Sequence, residues 1–301
     1  MKFNSLRDFL AVAERLSVRA AARQLGLAQP AMTRSIQELE KELGVVLFER
    51  RAKGVVLTPM GEVFLRRAKA VRSELNRAQD ELDQMRGETH GRIRICLSSV
   101  AHMALLPNAL GAFRKKFPDV TLEILDAVLP RVESELKDGT IDLYIGPAYG
   151  GTSSELSAET LFENQRIVLG RKGHPLAGAQ SLRELAGAEW ATSSVTHKAE
   201  DELSPLFQRY GLPPPKIAVQ AHSALTFFFT VAYSDLLMML PIQWCQAQLF
   251  RDSLQRIHVA EPINAPPICI VKRTGLPLTP AAEYFCDMMR RASMHMETVL
   301  G

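Results

Sequence analysis

A chain of 301 residues is long enough for about two domains, and 47% hydrophobic with 23% charged residues is an ordinary globular balance, ample for a sizeable core. No run of about 18 apolar residues occurs, which argues against a membrane span, and the opening Met1-Lys2-Phe3-Asn4-Ser5-Leu6-Arg7-Asp8 lacks a signal peptide's apolar stretch, so a cytoplasmic location is expected. The net charge is only +3, yet residues 1–72 hold 14 Lys/Arg against 7 Asp/Glu while 88–301 hold 20 against 22; a basic excess confined to the front suits counterion release from a nucleic acid, or a merely solvated face.

The first sixty residues divide into short helices with tight connections. Leu6, Phe9, Leu10 and Ala13 recur at helical spacing and predict a first amphipathic helix. Ser17 is placed to cap a second, through Ala20, Ala21, Ala22 and Leu25, whose small side chains permit close contact. Gly26 supplies a turn, and a third helix is expected from about Ala28 to Leu43, with Pro30 in its first turn. On it Ala31, Ile36, Leu39 and Leu43 are expected to face inward, and Gln29, Thr33, Arg34, Gln37 and Glu38 outward. Two helices joined by a short Gly-containing turn, the second polar and basic near its start, form a helix-turn-helix pattern. The β-prone runs Val45–Phe48 and Val55–Leu57 flank Glu49-Arg50-Arg51-Ala52-Lys53-Gly54, predicting a hairpin with a basic tip, the wing of a winged helix. Thr58 then offers an N-cap and Pro59 a first helical position.

In the helix that follows, Phe64, Ala68, Val71, Leu75, Ala78, Leu82 and Met85 are separated alternately by four and three residues. This is a heptad seam on a helix otherwise rich in Arg, Glu and Gln. Its own domain could cover the seam, but the regular repeat favours dimerisation with a second copy. After Gly87–Gly91 the pattern changes: Ile93–Leu97, Val120–Leu125 and Ile141–Ile145 look like strands, with helical patterns around 103–116 and 130–138 between them. Such alternation indicates βαβ units and a parallel sheet. It continues through 166–171, 217–222, 236–240, 254–259 and 267–273, with a closing helix near 279–296.

Cys96, Cys245, Cys269 and Cys286 form no CxxC pair, and the seven histidines are scattered. The thiols are expected to be small buried hydrophobes, and neither a metal site nor a cofactor is expected.

The stretch Leu6 to Thr58 resembles the N-terminal domain of LysR-type regulators almost position by position. The matching residues are Phe9-Leu10-Ala11-Val12-Ala13-Glu14, Ser17, Ala21-Ala22, Leu25, Gln29-Pro30-Ala31, Ile36, Leu39-Glu40, Leu43-Gly44, Leu47-Phe48, Arg50, Leu57-Thr58-Pro59 and Gly61. Pro107, Phe113, Phe117-Pro118, Gly139-Thr140-Ile141-Asp142 and His174-Pro175-Leu176 are similar to the family's sensor domain. Tyr210-Gly211-Leu212-Pro213, Ser234-Asp235-Leu236-Leu237 and Thr279-Pro280-Ala281-Ala282 look like its toluenesulfonate-responsive branch. One position departs from the family: Ala28 stands where Ser is usual, so the third helix lacks a side-chain N-cap worth about 1 kcal/mol.

The resemblance implies an α/β protein: a winged helix-turn-helix over 1–58, a coiled-coil linker helix over 59–87 and an effector-binding domain over 88–301. The last would be periplasmic-binding-protein-like, with subdomain I at 91–163 and 264–301 and subdomain II at 164–263. It implies a transcription regulator rather than an enzyme, a homodimer assembling into a homotetramer. Its expected partners are promoter DNA, a small effector and, as a candidate, RNA polymerase, with no membrane. On the third helix Gln29 would pair with adenine and Arg34 with guanine or phosphate, while Thr33, Pro30 and Ala31 allow close approach. Ser17 and Arg19 would reach phosphates from the preceding helix, and Arg50, Arg51 and Lys53 from the wing. Ligands of α/β sheets sit beyond the carboxyl ends of the strands, which directs attention to Ser98, Ser99, Val100 and His102, to Gly146 and Pro147, to Thr192, Ser193 and Ser194, and to His222, Ser223 and Phe227. Hydroxyls and backbone N–H donors with few acidic neighbours favour a carboxylate or sulfonate, on an aromatic ring if Phe227 or Phe228 is free to stack. Each hydroxyl could equally cap a helix, and Phe227-Phe228-Phe229 could equally be core.

Three rival readings have less behind them. No GxSxG, Walker loop, GxGxxG or HExxH supports an enzyme. A binding protein with a vestigial helix-turn-helix would show no salt-sensitive DNA affinity. A thiol-based switch through Cys245 has only the scattered cysteines behind it.

Overall fold

The computed structural model describes residues 2–300 apart from 53, 149–152, 193–199, 222 and 247. It divides into two compact units, one ending at Gln79 and including Asp138–Thr140, the other starting at Asp80.

The first unit is a winged helix-turn-helix. Its helices α1 (Phe3–Arg15), α2 (Val18–Gln24) and α3 (Gln29–Leu43) surround a core of Leu6, Phe9, Leu10, Met32, Ile36 and Leu39. The inward face of α3 is therefore Met32, Ile36 and Leu39, spaced four and three; Ala31 and Leu43, expected inside, are exposed. Leu16, between α1 and α2, takes a left-handed conformation (φ 49°), and its carbonyl accepts from Val55 N at 3.0 Å.

The wing pairs β1 (Phe48–Arg51) with β2 (Gly54–Leu57), Phe48 opposite Leu57. It starts later than expected because Glu40 Oε1 accepts from Leu47 N at 2.7 Å and Phe48 N at 3.1 Å, capping that strand from α3. Arg50 and Arg51 consequently lie in β1 rather than at the tip. Thr58 Oγ1 accepts from Gly61 N at 2.9 Å and donates to Val46 O at 2.7 Å, opening α4 (Pro59–Met85).

The first turns of α4 belong to this unit's own core. Ala68 is 1% exposed, and the Phe64 ring meets Phe9 edge-on at 4.8 Å. These two expected seam residues are thus unavailable to a partner. Val71, Leu75, Ala78, Leu82 and Met85 are exposed.

The second unit is built on separate sheets, and each group of sheet and helices is termed a subdomain. One holds a five-stranded sheet in the order β4 (Asp119–Asp126), β3 (His90–Leu97), β5 (Leu143–Pro147), β12 (Ile268–Arg273), β6 (Leu156–Phe162). A π-helical turn at Ala101–Leu105 leads into α5 (Leu106–Lys116); α6 (Leu129–Lys137) and α11 (Pro280–Leu300) complete this subdomain. On β3, Ile93, Ile95 and Leu97 enter one core cluster and Cys96 another, the burial on both faces that near-continuous apolar strands signal. The sheet is mixed: β3 runs parallel to β4 and β5, but β12 is antiparallel to β5 and β6. The purely parallel expectation fails because β12 arrives from the far end of the chain and β6 was not recognised.

The other subdomain carries β7 (Arg166–Arg171) between β10 (Met238–Pro241) and β11 (Leu254–Ile257), both antiparallel to it. It also holds the parallel pair β8 (Glu189–Thr192) and β9 (Lys216–Gln220), with α7 (Glu200–Arg209), α8 (Ala224–Ala232), α9 (Gln243–Gln246) and α10 (Gln248–Arg251). The last turns of α4 are fixed to this unit. Buried Gln84 donates to His90 O at 3.2 Å and accepts from Ala281 N, at the start of α11, at 2.9 Å.

Candidate nucleic-acid interface and ligand seam

In the helix-turn-helix, Ser17 Oγ caps α2 by accepting from Ala20 N at 3.3 Å, and Gly26 makes the turn at φ 65°. Ala28 gives α3 no side-chain cap. Gln29, Pro30, Ala31 and Arg34 are exposed and Thr33 is half-buried, as are Arg19 (exposed) and Ser17 (half-buried) before them. Arg19, Arg34 and Arg50 have no ion-pair partner among the described residues, whereas Arg51 is tied to Glu49 at 2.7 Å. Lys53 lies outside the described residues. A residue the sequence reading missed orients this helix: Asp8 of α1, 4% exposed, accepts from Ser35 Oγ at 2.7 Å and from Arg7 at 2.9 Å. A buried carboxylate needs such partners, and the bond fixes α3 directly after Arg34.

The proposed ligand residues divide. Ser98 is buried and accepts from Ala101 N at 3.4 Å, so its hydroxyl serves the π-turn. His102, half-buried, shares Nδ1 with the Ser98 carbonyl at 3.0 Å. Ser99 is half-buried, but the Val100 side chain is wholly within the core of the first subdomain and can offer a ligand only its backbone. Gly146 owes its size to its neighbours, because a Cβ there would collide with Tyr144 Oη and Ser98 Cβ; Pro147 beside it accepts from Tyr144 Oη at 3.1 Å. Ser223 caps α8, accepting from Thr226 N at 3.1 Å. Phe227, 1% exposed, is core, so it offers no stacking face. Ser193, Ser194 and His222 lie outside the described residues.

Thr192 differs. It is 3% exposed and its Oγ1 makes no hydrogen bond among the described residues. Gln243, at the start of α9, is 2% exposed, and both ends of its amide are unbonded; so is Nε1 of the next residue, Trp244. The isolated bridge between Trp190 and Leu237 shows β8 and β10 running parallel, so Thr192, the last residue of β8, and Gln243, two residues beyond β10, lie toward the same ends of these strands. There α9 contacts the π-turn, and Met103 of that turn packs on the cluster containing Trp244. Sequence reading passed over Gln243; the signal was a polar residue interrupting the apolar run from Leu236 to Trp244.

Burial pushes the Cys96 and Cys286 thiols up to about 12 and raises Cys269 in the same way. These three stay protonated and unreactive at neutral pH; the Cys245 side chain lies outside the described residues. Among the described residues no group of three His, Cys, Asp or Glu is placed to hold a metal, and no helix is long and apolar enough to cross a membrane.

Two family models match the chain: "Bacterial regulatory helix-turn-helix protein, lysR family" over residues 3–62 and "LysR substrate binding domain" over residues 86–293. The HTH-type transcriptional regulator TdcA of Escherichia coli (strain K12) is 27% identical over 226 residues, 75% of this chain and 72% of its own. The HTH-type transcriptional regulator TdfR of Cupriavidus pinatubonensis is 39% identical over 171 residues, 54% of this chain and 56% of its own. Among solved structures, full-length CbnR complexed with its target DNA is similar in fold, with a TM-score of 0.72 and 22% identity over 97% of this chain and 100% of that one.

Proposed function

This chain belongs to the LysR family, a DNA-binding transcription regulator with a ligand-binding domain rather than an enzyme, and from that premise we propose how it reads DNA and what it senses. Two copies pair along Val71, Leu75, Ala78, Leu82 and Met85 of α4 and set two α3 helices into major grooves of a dyad-symmetric site. Gln29 reads adenine and Arg34 guanine or phosphate, with Thr33, Pro30 and Ala31 at close approach. Ser17, Arg19, Arg50, Arg51 and Lys53 hold the backbone. The observation that carries this reading is α3 itself: one side is locked into the core by Met32, Ile36 and Leu39, while Gln29 and unpaired Arg34 are left to solvent. That CbnR, similar in fold, has been solved in complex with its target DNA supports a DNA-binding role for this fold.

The sensed molecule is a small acid, a carboxylate or sulfonate, taken up where the two subdomains of the second unit meet. The similarity of Tyr210–Pro213, Ser234–Leu237 and Thr279–Ala282 to the toluenesulfonate-responsive branch supports that class. By binding one arrangement of the subdomains better than the other, the acid shifts the population of DNA-competent assemblies. The working form is a homotetramer in the cytoplasm, with RNA polymerase as a downstream contact.

Fluorescence anisotropy with the DNA immediately upstream of the protein's own gene tests the DNA reading. Wild-type affinity is expected to fall by about 10³-fold or more between 50 and 200 mM salt. Gln29→Ala is expected to cost sequence preference, and Arg34→Ala overall affinity. Indifference to such fragments at 50 mM salt would end this account.

A further inference from the structure

We infer that Gln243 and Trp244, with Thr192 at the end of the neighbouring parallel strand, read the ligand. They select an acid that carries a hydrogen-bond donor beside its carboxylate, a hydroxy acid or an amino acid. This rests on the sensor reading above and narrows it.

Buried polar groups in folded proteins are nearly always hydrogen-bonded, and those left without a partner are strongly destabilising. Among the described residues seven buried side-chain atoms lack a partner; three belong to Ser153, Trp190 and Gln255, and the other four to Gln243, Trp244 and Thr192. Gln243 contributes an unbonded Nε2 and an unbonded Oε1, Trp244 an unbonded Nε1 and Thr192 an unbonded Oγ1, all in residues no more than 3% exposed. The hydroxyls of Ser98 and Ser223 find work as helix caps; these four atoms find none among the described residues. They occur on α9, which meets the π-turn of the first subdomain, and at the end of β8, which runs parallel to the strand before α9. A fold retains such a cost when another molecule relieves it in a second state.

The atoms also specify what that molecule offers. Gln243 Nε2 and Trp244 Nε1 only donate and Thr192 Oγ1–H can donate, so they call for acceptors, which carboxylate oxygens provide. Gln243 Oε1 only accepts. A plain carboxylate has no proton for it and would leave it stranded; a hydroxyl or ammonium next to the carboxylate supplies one. The side chains involved are neutral, so discrimination comes from matching donors to acceptors rather than from net charge.

The test uses the full-length protein, Gln243→Met, which keeps length and removes both polar atoms, and Thr192→Val. Melting temperatures are measured alone and with matched acids: lactate against propionate, mandelate against phenylacetate, and alanine against propionate. Relief of the unbonded amide is expected to raise the melting temperature of unliganded Gln243→Met by about 2 °C or more. In the wild type, at least one donor-bearing acid is expected to bind roughly tenfold more tightly than its plain counterpart, a preference that Gln243→Met loses and Thr192→Val weakens. A lower melting temperature for Gln243→Met would overturn the inference, since the amide would then be structurally satisfied. If propionate or phenylacetate binds wild type and Gln243→Met equally, with no gain from a donor, the sensor stands and this inference falls. If none of these acids, nor benzenesulfonate, shifts the wild type, both fall.

Discussion

Gly61 sits in the first turn of α4, where a Cβ would collide with the Leu47 carbonyl oxygen and press on Leu57 Cδ2. That carbonyl is held by Thr58 N at 3.0 Å and cannot retreat. Overpacking of this kind costs about 1–3 kcal/mol, so Gly61→Ala is expected to destabilise the winged helix specifically. The sequence has 2 tryptophans, Trp190 and Trp244, and both lie in the second unit. In a urea titration the loss of helical circular dichroism should begin at lower denaturant, while the tryptophan fluorescence transition stays in place; a shift of both together would contradict this. At this scale local chemistry was legible. The Ser17 and Thr58 caps and the Gly26 turn each depend on a few adjacent residues. Asp8 was not, because its meaning comes from Ser35, 27 positions away. Gly146 was a candidate ligand residue only for its place at a strand end, and its identity answers instead to Tyr144 and Ser98, whose crowding excludes a side chain there.

Among the elements, α4 shows how far periodicity reaches and where it stops. The four-three spacing correctly marks one helix face, but spacing does not say what covers it. Phe9 and the core behind it claim Phe64 and Ala68, and the face becomes free only from Val71 onward. Leu75 and Leu82 are 46% and 53% exposed, so charging them removes little from the folded monomer. Leu75→Glu with Leu82→Glu is therefore expected to leave the thermal midpoint of a dilute sample nearly unchanged while abolishing the α4-mediated dimer, as light scattering would register. A variant that keeps its mass would show that this stripe is not the seam. The wing and the sheets deviated for a different reason. Glu40 decides where β1 can start, and β6 joins its sheet only through β12, more than a hundred residues later. Strand order and direction are long-range facts that alternation between strands and helices leaves open.

For the whole molecule, a homotetramer needs a second self-complementary surface besides α4, and the second unit offers one. Leu225, Phe229 and Tyr233 recur every four residues along α8 and its C-cap, 67%, 48% and 81% exposed, with the Phe229 and Tyr233 rings stacked at 6.0 Å. Separately, β4 is an edge strand of its sheet, with Ile124 and Leu125 37% and 44% exposed. Exposed apolar side chains in this density mark contact surfaces, and an unpaired strand edge is otherwise a liability. Phe229 also packs edge-on against buried Phe228 at 5.3 Å, so Leu225→Asp with Tyr233→Asp, which spares that contact and replaces the two most exposed of the three side chains, should fold normally. It is expected to halve the tetramer to dimers that still pair through α4, and combining it with the α4 substitutions should give monomers. DNA binding separates the two interfaces further. In the proposed α4 dimer two reading helices sit at one fixed spacing, so the α8 variant should keep its affinity for a single dyad-symmetric half of the promoter and lose the extra affinity that four linked reading heads would gain from effective concentration, about 10²-fold or more. Unchanged mass for the α8 variant, or equal loss of affinity for the single and the extended sites, would place the second interface elsewhere.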